Sequence, residues 1–157
     1  MNKILTLCVI AEPNRVLLGM KKRGFGAGKW NGFGGKVAEG ESIESAAKRE
    51  VTEECGLAVE SMSAAGILEF TFEGQDGVLE VHLFRVDRWN GSVIESEEMR
   101  PQWFTIGEIP YFEMWPDDTF WLPAFLEGKS CNGAFHFAPD GSIAHQTLTT
   151  SPPVIPA

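Results

Sequence analysis

Gly35-Lys-Val-Ala-Glu-Gly-Glu-Ser-Ile-Glu-Ser-Ala-Ala-Lys-Arg-Glu-Val-Thr-Glu-Glu-Cys-Gly-Leu57 is a glycine-rich turn followed by one arginine and a run of glutamates at fixed spacings. Ser42 is a good N-cap, Glu44 places an anion in the first turn, and Gly56 stands where a left-handed residue usually ends a helix. The segment therefore predicts a helix from Ile43 to Cys55. At about 100° per residue, Ile43, Ala46, Ala47 and Val51 gather on one face, with Glu44, Ser45, Lys48 and Thr52 opposite. The apolar face is the buried one. Glu50 and Glu54, one turn apart, project onto that same side, with Glu53 at its edge and Arg49 further round.

A glutamate run is ordinarily a solvated helix surface. Here the phase argues otherwise, because an inward carboxylate is costly unless a cation or hydrogen-bond donors compensate it. Clustered carboxylate oxygens suit Mg²⁺ or Mn²⁺, hard ions that keep water and phosphate oxygens as their remaining ligands. Such a site predicts a polyphosphate substrate.

Working outward, 157 residues with 43% hydrophobic content and a net charge of −9 describe one globular domain rather than a membrane span. The acidic balance argues against binding nucleic-acid backbones, which depends on many basic contacts. Lys21, Lys22, Arg23, Lys29 and Lys36 still supply local positive charge for a small anion. Cys8, Cys55 and Cys131 are odd in number and widely spaced, which reads as reduced thiols in a cytoplasmic protein. Alternation through Leu5, Leu7 and Val9 predicts a strand at the N-terminus in place of a signal peptide.

Strands are expected over 3–11 and 15–22 around Pro13-Asn14, then a glycine-rich loop over 23–31 and a lead-in over 32–38. Strands over 59–72 and 78–88 flank the turn Glu73–Gly77, and 102–106 reads as another strand. Asp117–Leu126 reads as a second helix. Gly133–Ala138 and Ile143–Thr149 form a closing hairpin around Asp140-Gly141. One domain over 1–149 and a proline-rich, frayed tail over 150–157 complete the division. Two helices covering a curved sheet give an α+β sandwich.

Written as spacing, Gly35, five residues, Glu41, seven residues and Arg49-Glu50-Val51-Thr52-Glu53-Glu54-Cys55-Gly56-Leu57 resembles the Nudix box with every specified position filled. The resemblance implies a mixed sheet between helices and hydrolysis of a nucleoside diphosphate linked to another group. Leu18–Lys36, Glu95–Phe104 and Met114–Asp118 are similar to the oxidised purine nucleoside triphosphatase branch, and the likeness runs to about residue 149. What it implies is hydrolysis of nucleotides of the 8-oxo-dGTP and 2-hydroxy-dATP type to the monophosphate and pyrophosphate, by a monomer.

The family's pattern assigns roles by position. Divalent metal would be held by the carbonyl of Gly34 and by Glu50, Glu53, Glu54 and Glu98, with Arg49 orienting the glutamates. Asn31, Asp117 and Asp118 would read the base edge, and Trp115, followed by Pro116, would stack on its face. Thr6, Lys21 and the run Phe33, Gly34, Gly35, Lys36 would complete the pocket, with Phe25, Phe70, Phe72 and Trp121 as walls. Stacking cannot distinguish guanine from its oxidised form. An N7–H donor in place of an acceptor can, if a carboxylate faces it.

Other readings compete at several positions. Trp115-Pro-Asp-Asp is also a plain helix start with one aspartate as cap, and Phe70 and Phe72 are ordinary core residues of a strand. Gly128-Lys129-Ser130 ends like a P-loop, but Pro123 occupies the place of its first glycine. His82, His136 and His145 lack metal-ligand spacing in the sequence. Another nucleotide substrate, or a non-catalytic nucleotide-binding module on the same fold, would keep the helix and change its use.

Overall fold

The computed structural model describes residues 2–152. Its elements run β1 Lys3–Glu12, β2 Arg15–Lys21, β3 Trp30–Asn31, α1 Ile43–Cys55, β4 Ala58–Phe72, β5 Leu79–Asn90, β6 Met99–Thr105, α2 Asp118–Leu126, β7 Ser130–Phe137 and β8 Ile143–Ser151, with short 3₁₀ turns at Ile106–Glu108 and Tyr111–Glu113. The strands form one mixed sheet in the order β3-β2-β1-β5-β4-β7-β8, and β6 pairs with β2. β1 runs parallel to β5 and β4 parallel to β7, while the other pairs are antiparallel.

Alternation along the strands divides the core into two layers. Cys8, Ile10, Phe84 and Val86 pack beneath α1 with Ala47, Val51 and Cys55. On the other side Val9, Leu68, Leu83, Phe135 and Phe137 pack with Trp121, Leu122 and Phe125 of α2. The sheet therefore lies between its helices, the α+β sandwich expected from the pattern.

α1 has the predicted limits for the predicted reasons. Ser42 Oγ accepts the Ser45 N–H at 3.1 Å, and Gly56 adopts φ 82° with its own N–H on the Thr52 carbonyl. Ala46, Ala47, Val51 and Cys55 are its buried residues.

Several boundaries differ from expectation, among them the start of β7 at Ser130 in place of 133. β6 begins at Met99, ahead of 102, and pairs residue for residue with β2 from Lys21↔Met99 to Arg15↔Thr105. Pro101 disguises this start, but β6 pairs with β2 alone, and an edge tolerates a missing N–H. Within the glycine-rich 23–31 segment, Trp30 and Asn31 form a two-residue strand against Gly19 and Met20. β8 continues through Thr150 and Ser151, pairing Ser151 with Ser130. Of the tail expected over 150–157, those two residues are thus strand, and 153–157 lie outside the described residues.

Candidate active site

α1 delivers its glutamates to the glycine-rich turn at 32–36, which runs against β1. Phe33 and Cys8 exchange backbone hydrogen bonds at 2.9 and 2.6 Å, and the Thr6 N–H donates to the Gly35 carbonyl at 2.9 Å. The approach admits no side chain. A Cβ on Gly34 would lie 1.8 Å from the Thr6 carbonyl oxygen, and one on Gly35 would lie 2.7 Å from the Glu50 carboxylate.

Arg49 organises the acidic side of this turn. Its guanidinium grips Glu41 in a bidentate pair at 2.7 and 3.0 Å, donates to Glu50 at 2.8 Å and Glu53 at 3.2 Å, and reaches the Lys36 carbonyl at 3.3 Å. The planar fork suits this multiple engagement better than an ammonium would. Arg49 holds the Glu41 carboxyl down to about 2, chiefly through their hydrogen bonds.

Glu54 has different surroundings. Burial pushes its carboxyl up to about 8, with Glu50 and Glu98 adding repulsion, while the Gly34 N–H and Lys21 act in the other direction. Glu98 sits on the loop before β6; its side chain is mostly exposed and meets Arg23 at 3.3 Å. Among the described residues no three acidic, histidine or cysteine side chains are already closed into a metal-sized cluster. Glu50 and Glu53 are turned to Arg49, and Glu54 to Gly34. The donor set is nonetheless all oxygen and strongly anionic, and at Glu54 the Gly34 N–H and Lys21 offset only part of the cost that burial puts on ionisation, which is the environment a hard divalent cation fits.

One cavity connects Glu54 to the far side of the sheet's end. Thr6, Lys21, Phe25, Asn31, Gly34, Gly35, Phe70, Phe72, Trp115, Asp117 and Asp118, all named from the sequence, line it. Trp115 lies 5.2 Å from the Phe25 ring and 5.3 Å from the Lys29 ammonium, and contacts Phe137 edge-on. Asn31 accepts the Gly32 N–H through its side-chain oxygen, leaving its amide NH₂ unspent in that bond.

The aspartates lie at the start of α2, with Asp117 4% and Asp118 2% exposed. Asp117 stands at the N-cap position without capping through its side chain; its Oδ2 accepts the Trp121 indole N–H at 2.9 Å. Asp118 Oδ2 has no hydrogen-bond partner among the described residues. Burial raises both carboxyls, and Asp118 is raised further by Asp117 beside it.

Several candidates lie outside the cavity lining. Phe33 is fully buried and packs in the layer under α1, held there by its backbone pairing with Cys8. Trp121 is a core residue, 1% exposed, and reaches the cavity only through Asp117. Lys36 is bridged to Leu5, and Pro116 accepts the Thr119 hydroxyl at its carbonyl. Conversely, Leu5, Leu7, Gly19, Gly26, Gly32, Val81, Met99 and Phe137 line the cavity without having been singled out as its walls, nor was Lys29 given a place in it; Leu79 lines it as well. Most are apolar strand residues, indistinguishable in sequence from core.

A profile of the NUDIX domain matches residues 1–125. The chain belongs to the Nudix family. Similarity extends past the Nudix domain to whole proteins: the oxidized purine nucleoside triphosphate hydrolase of Mus musculus is 50% identical over 94% of each chain, and that of Danio rerio 54% identical over the same shares. The Nudix fold is matched by the crystal structure of the mutator MutT protein from Bacillus halodurans, with a TM-score of 0.82 and 28% identity over 93% of this chain and 97% of that one. The protein is accordingly a Nudix hydrolase, a class of enzyme that uses divalent metal ions. No helix among the described residues is long and apolar enough to cross a membrane.

Proposed function

We propose that this protein hydrolyses oxidised purine nucleoside triphosphates, of the 8-oxo-dGTP and 2-hydroxy-dATP type, to the monophosphate and pyrophosphate, and so removes damaged precursors from the nucleotide pool. The observation that carries the reading is a single cavity lined at once by Glu54, Gly34 and Lys21 and by Trp115, Asn31, Asp117 and Asp118. Phosphate chemistry and base recognition share one space. The named activity of the mouse and zebrafish relatives supports the same substrate class.

Base selection rests on the aspartate pair. Stacking on Trp115 contributes roughly 1–3 kcal/mol for any base, so discrimination falls to hydrogen bonds. Two buried carboxyls that resist joint ionisation hold one proton between them, offering one acceptor and one donor. An acceptor facing N7–H favours oxidised guanine and opposes guanine, whose N7 is itself an acceptor. Moving the proton reverses the donor and acceptor order, which accommodates an oxidised adenine.

At the phosphate end, Glu50, Glu53, Glu54, Glu98 and the Gly34 carbonyl would hold Mg²⁺, or Mn²⁺ in its place. When bound, the ion supplies charge neutralisation and an acidified water for attack at phosphorus. Lys21 meets the polyphosphate charge, and Arg49 positions Glu50 and Glu53 through its hydrogen bonds. Glu54, whose carboxyl burial raises to about 8, can hold a proton near neutral pH on this side. Three buried free thiols support a reducing cytoplasmic setting.

The deciding experiment measures pyrophosphate release with Mg²⁺ from 8-oxo-dGTP, 2-hydroxy-dATP, dGTP and dATP. A kcat/KM advantage for the oxidised pair is expected. Equal values for damaged and normal nucleotides would remove the oxidised-purine assignment and leave a general Nudix pyrophosphatase.

A further inference from the structure

The reverse of the sheet, away from the nucleotide cavity, carries all three histidines of the chain. Cys8 and Phe84 lie beneath α1 and are register partners. Stepping two residues along β5 brings His82 to that same face. The ladder then carries the face outward through Ile67↔His82, Thr71↔His136 and His136↔His145. Phe135 and Phe137, flanking His136, point to the opposite layer. His82 is engaged with Glu80, Nε2 to carboxylate at 2.7 Å. His136 and His145 instead face each other across β7 and β8.

We propose that His136 and His145 form a binding site for a borderline transition-metal ion, Zn²⁺, Ni²⁺ or Cu²⁺, separate from the carboxylate site on α1. Their rings lie 6.5 Å apart, centre to centre, inclined by 33°. Two imidazoles sharing one ion through Zn–N bonds of about 2.0–2.1 Å place their centres roughly 5–6 Å apart. The exposed His145 ring covers that difference with a small side-chain adjustment. Thr71 Oγ1 lies 2.7 Å from His136 Nδ1. This contact fixes the ring and leaves Nε2 as the ligand nitrogen, an outer-shell arrangement usual for metal-bound histidine.

The sheet makes the pair rigid where it needs to be. His136 and His145 are directly opposite, and Ala144 is the extra residue of a β-bulge before the next pair, Phe137↔Ile143. The bulge sets the twist of β8 beside the pair. Solvent access at His145 leaves water to complete the coordination. Ligand type separates this site from the catalytic one: imidazole selects Zn²⁺, Ni²⁺ and Cu²⁺, whereas Mg²⁺ prefers carboxylate and water. The net charge of −9 favours capture of any cation.

The test uses the full chain without a polyhistidine tag, in excess Mg²⁺, and follows the imidazole carbon-bound proton signals by NMR as Zn²⁺ is added. The signals of His136 and His145 are expected to shift together and saturate at one equivalent, with His82 unmoved as an internal control. His145→Ala, at an exposed position, should weaken this binding at least about 10-fold with its metal-free melting temperature unchanged, and Thr71→Val should weaken it by roughly 10-fold. Signals that stay in place, that shift with different midpoints, or that respond with wild-type affinity in His145→Ala overturn the proposal. The result is independent of which nucleotide the enzyme hydrolyses.

Discussion

Glu54 Oε1 accepts the Gly34 backbone N–H at 2.8 Å, so a half-buried carboxylate of α1 is fastened to the turn that closes against β1. That bond explains why the turn and the helix behave as one unit. It is too little, on its own, to keep Glu54 ionised at neutral pH.

A consequence is a pH-dependent stability that Glu54→Gln removes. The folded carboxyl, at about 8, lies above its unfolded value, so the native state holds more protons than the unfolded one between these limits. Stability must fall as pH rises through that window. The metal-free protein should lose melting temperature between pH 5 and pH 8 by about the same sign and order as one buried ionisation, and metal-free Glu54→Gln should be flatter over the same range. In Mg²⁺ the variant should keep its fold and lose turnover by roughly 10²-fold or more; full activity would remove Glu54 from the chemistry.

Arg49→Lys tests whether geometry or charge organises the acidic side. A lysine keeps the charge but cannot grip Glu41 with two parallel bonds while reaching Glu50 and Glu53. Activity at limiting Mg²⁺ should fall by about 10–100-fold, with the half-saturating Mg²⁺ concentration raised. A lysine variant with wild-type metal response would assign Arg49 to stability alone.

Gly34→Ala should be among the most damaging single substitutions in the chain. The added methyl meets the Thr6 backbone 1.8 Å away, and neither strand nor turn has room to yield. A loss on the order of 3 kcal/mol or more, read from chemical denaturation, is the expected size for overpacking against main chain.

Asp117→Asn and Asp118→Asn separate recognition from folding. Asp117 carries the bond from Trp121, whereas Asp118 Oδ2 carries none among the described residues. Both variants should reduce the kcat/KM ratio of oxidised to normal purines, with Mg²⁺ dependence unchanged, and only Asp117→Asn should disturb the Trp121 environment in near-ultraviolet circular dichroism. An unaltered substrate ratio in both would return the pair to a structural role.

Local chemistry was the legible part of this protein. Ser42, the apolar phase of Ala46, Ala47 and Val51, and Gly56 specify α1 without reference to anything distant, and the inward placing of Glu50 and Glu54 follows from the same phase. Tertiary placement was less legible. Phe33 and Gly34 are neighbours in a short glycine-rich run, and only pairing with Cys8 decides that the phenylalanine goes to the core. Trp121 looks like a pocket wall until its indole is seen to serve Asp117. Leu79, Val81 and Phe137 look like core because a cavity for a purine is built from the same side chains as a core.

Phe137 gives the order of assembly a functional meaning. It belongs to the penultimate strand, yet it walls the same cavity as Leu5 and Thr6 near the beginning of the chain. During synthesis, α1 and its glutamates emerge well before β7 can dock beside β4. The cavity that joins Glu54 to Trp115 is therefore walled in only once β7 has paired with β4, a contact between residues far apart in the chain.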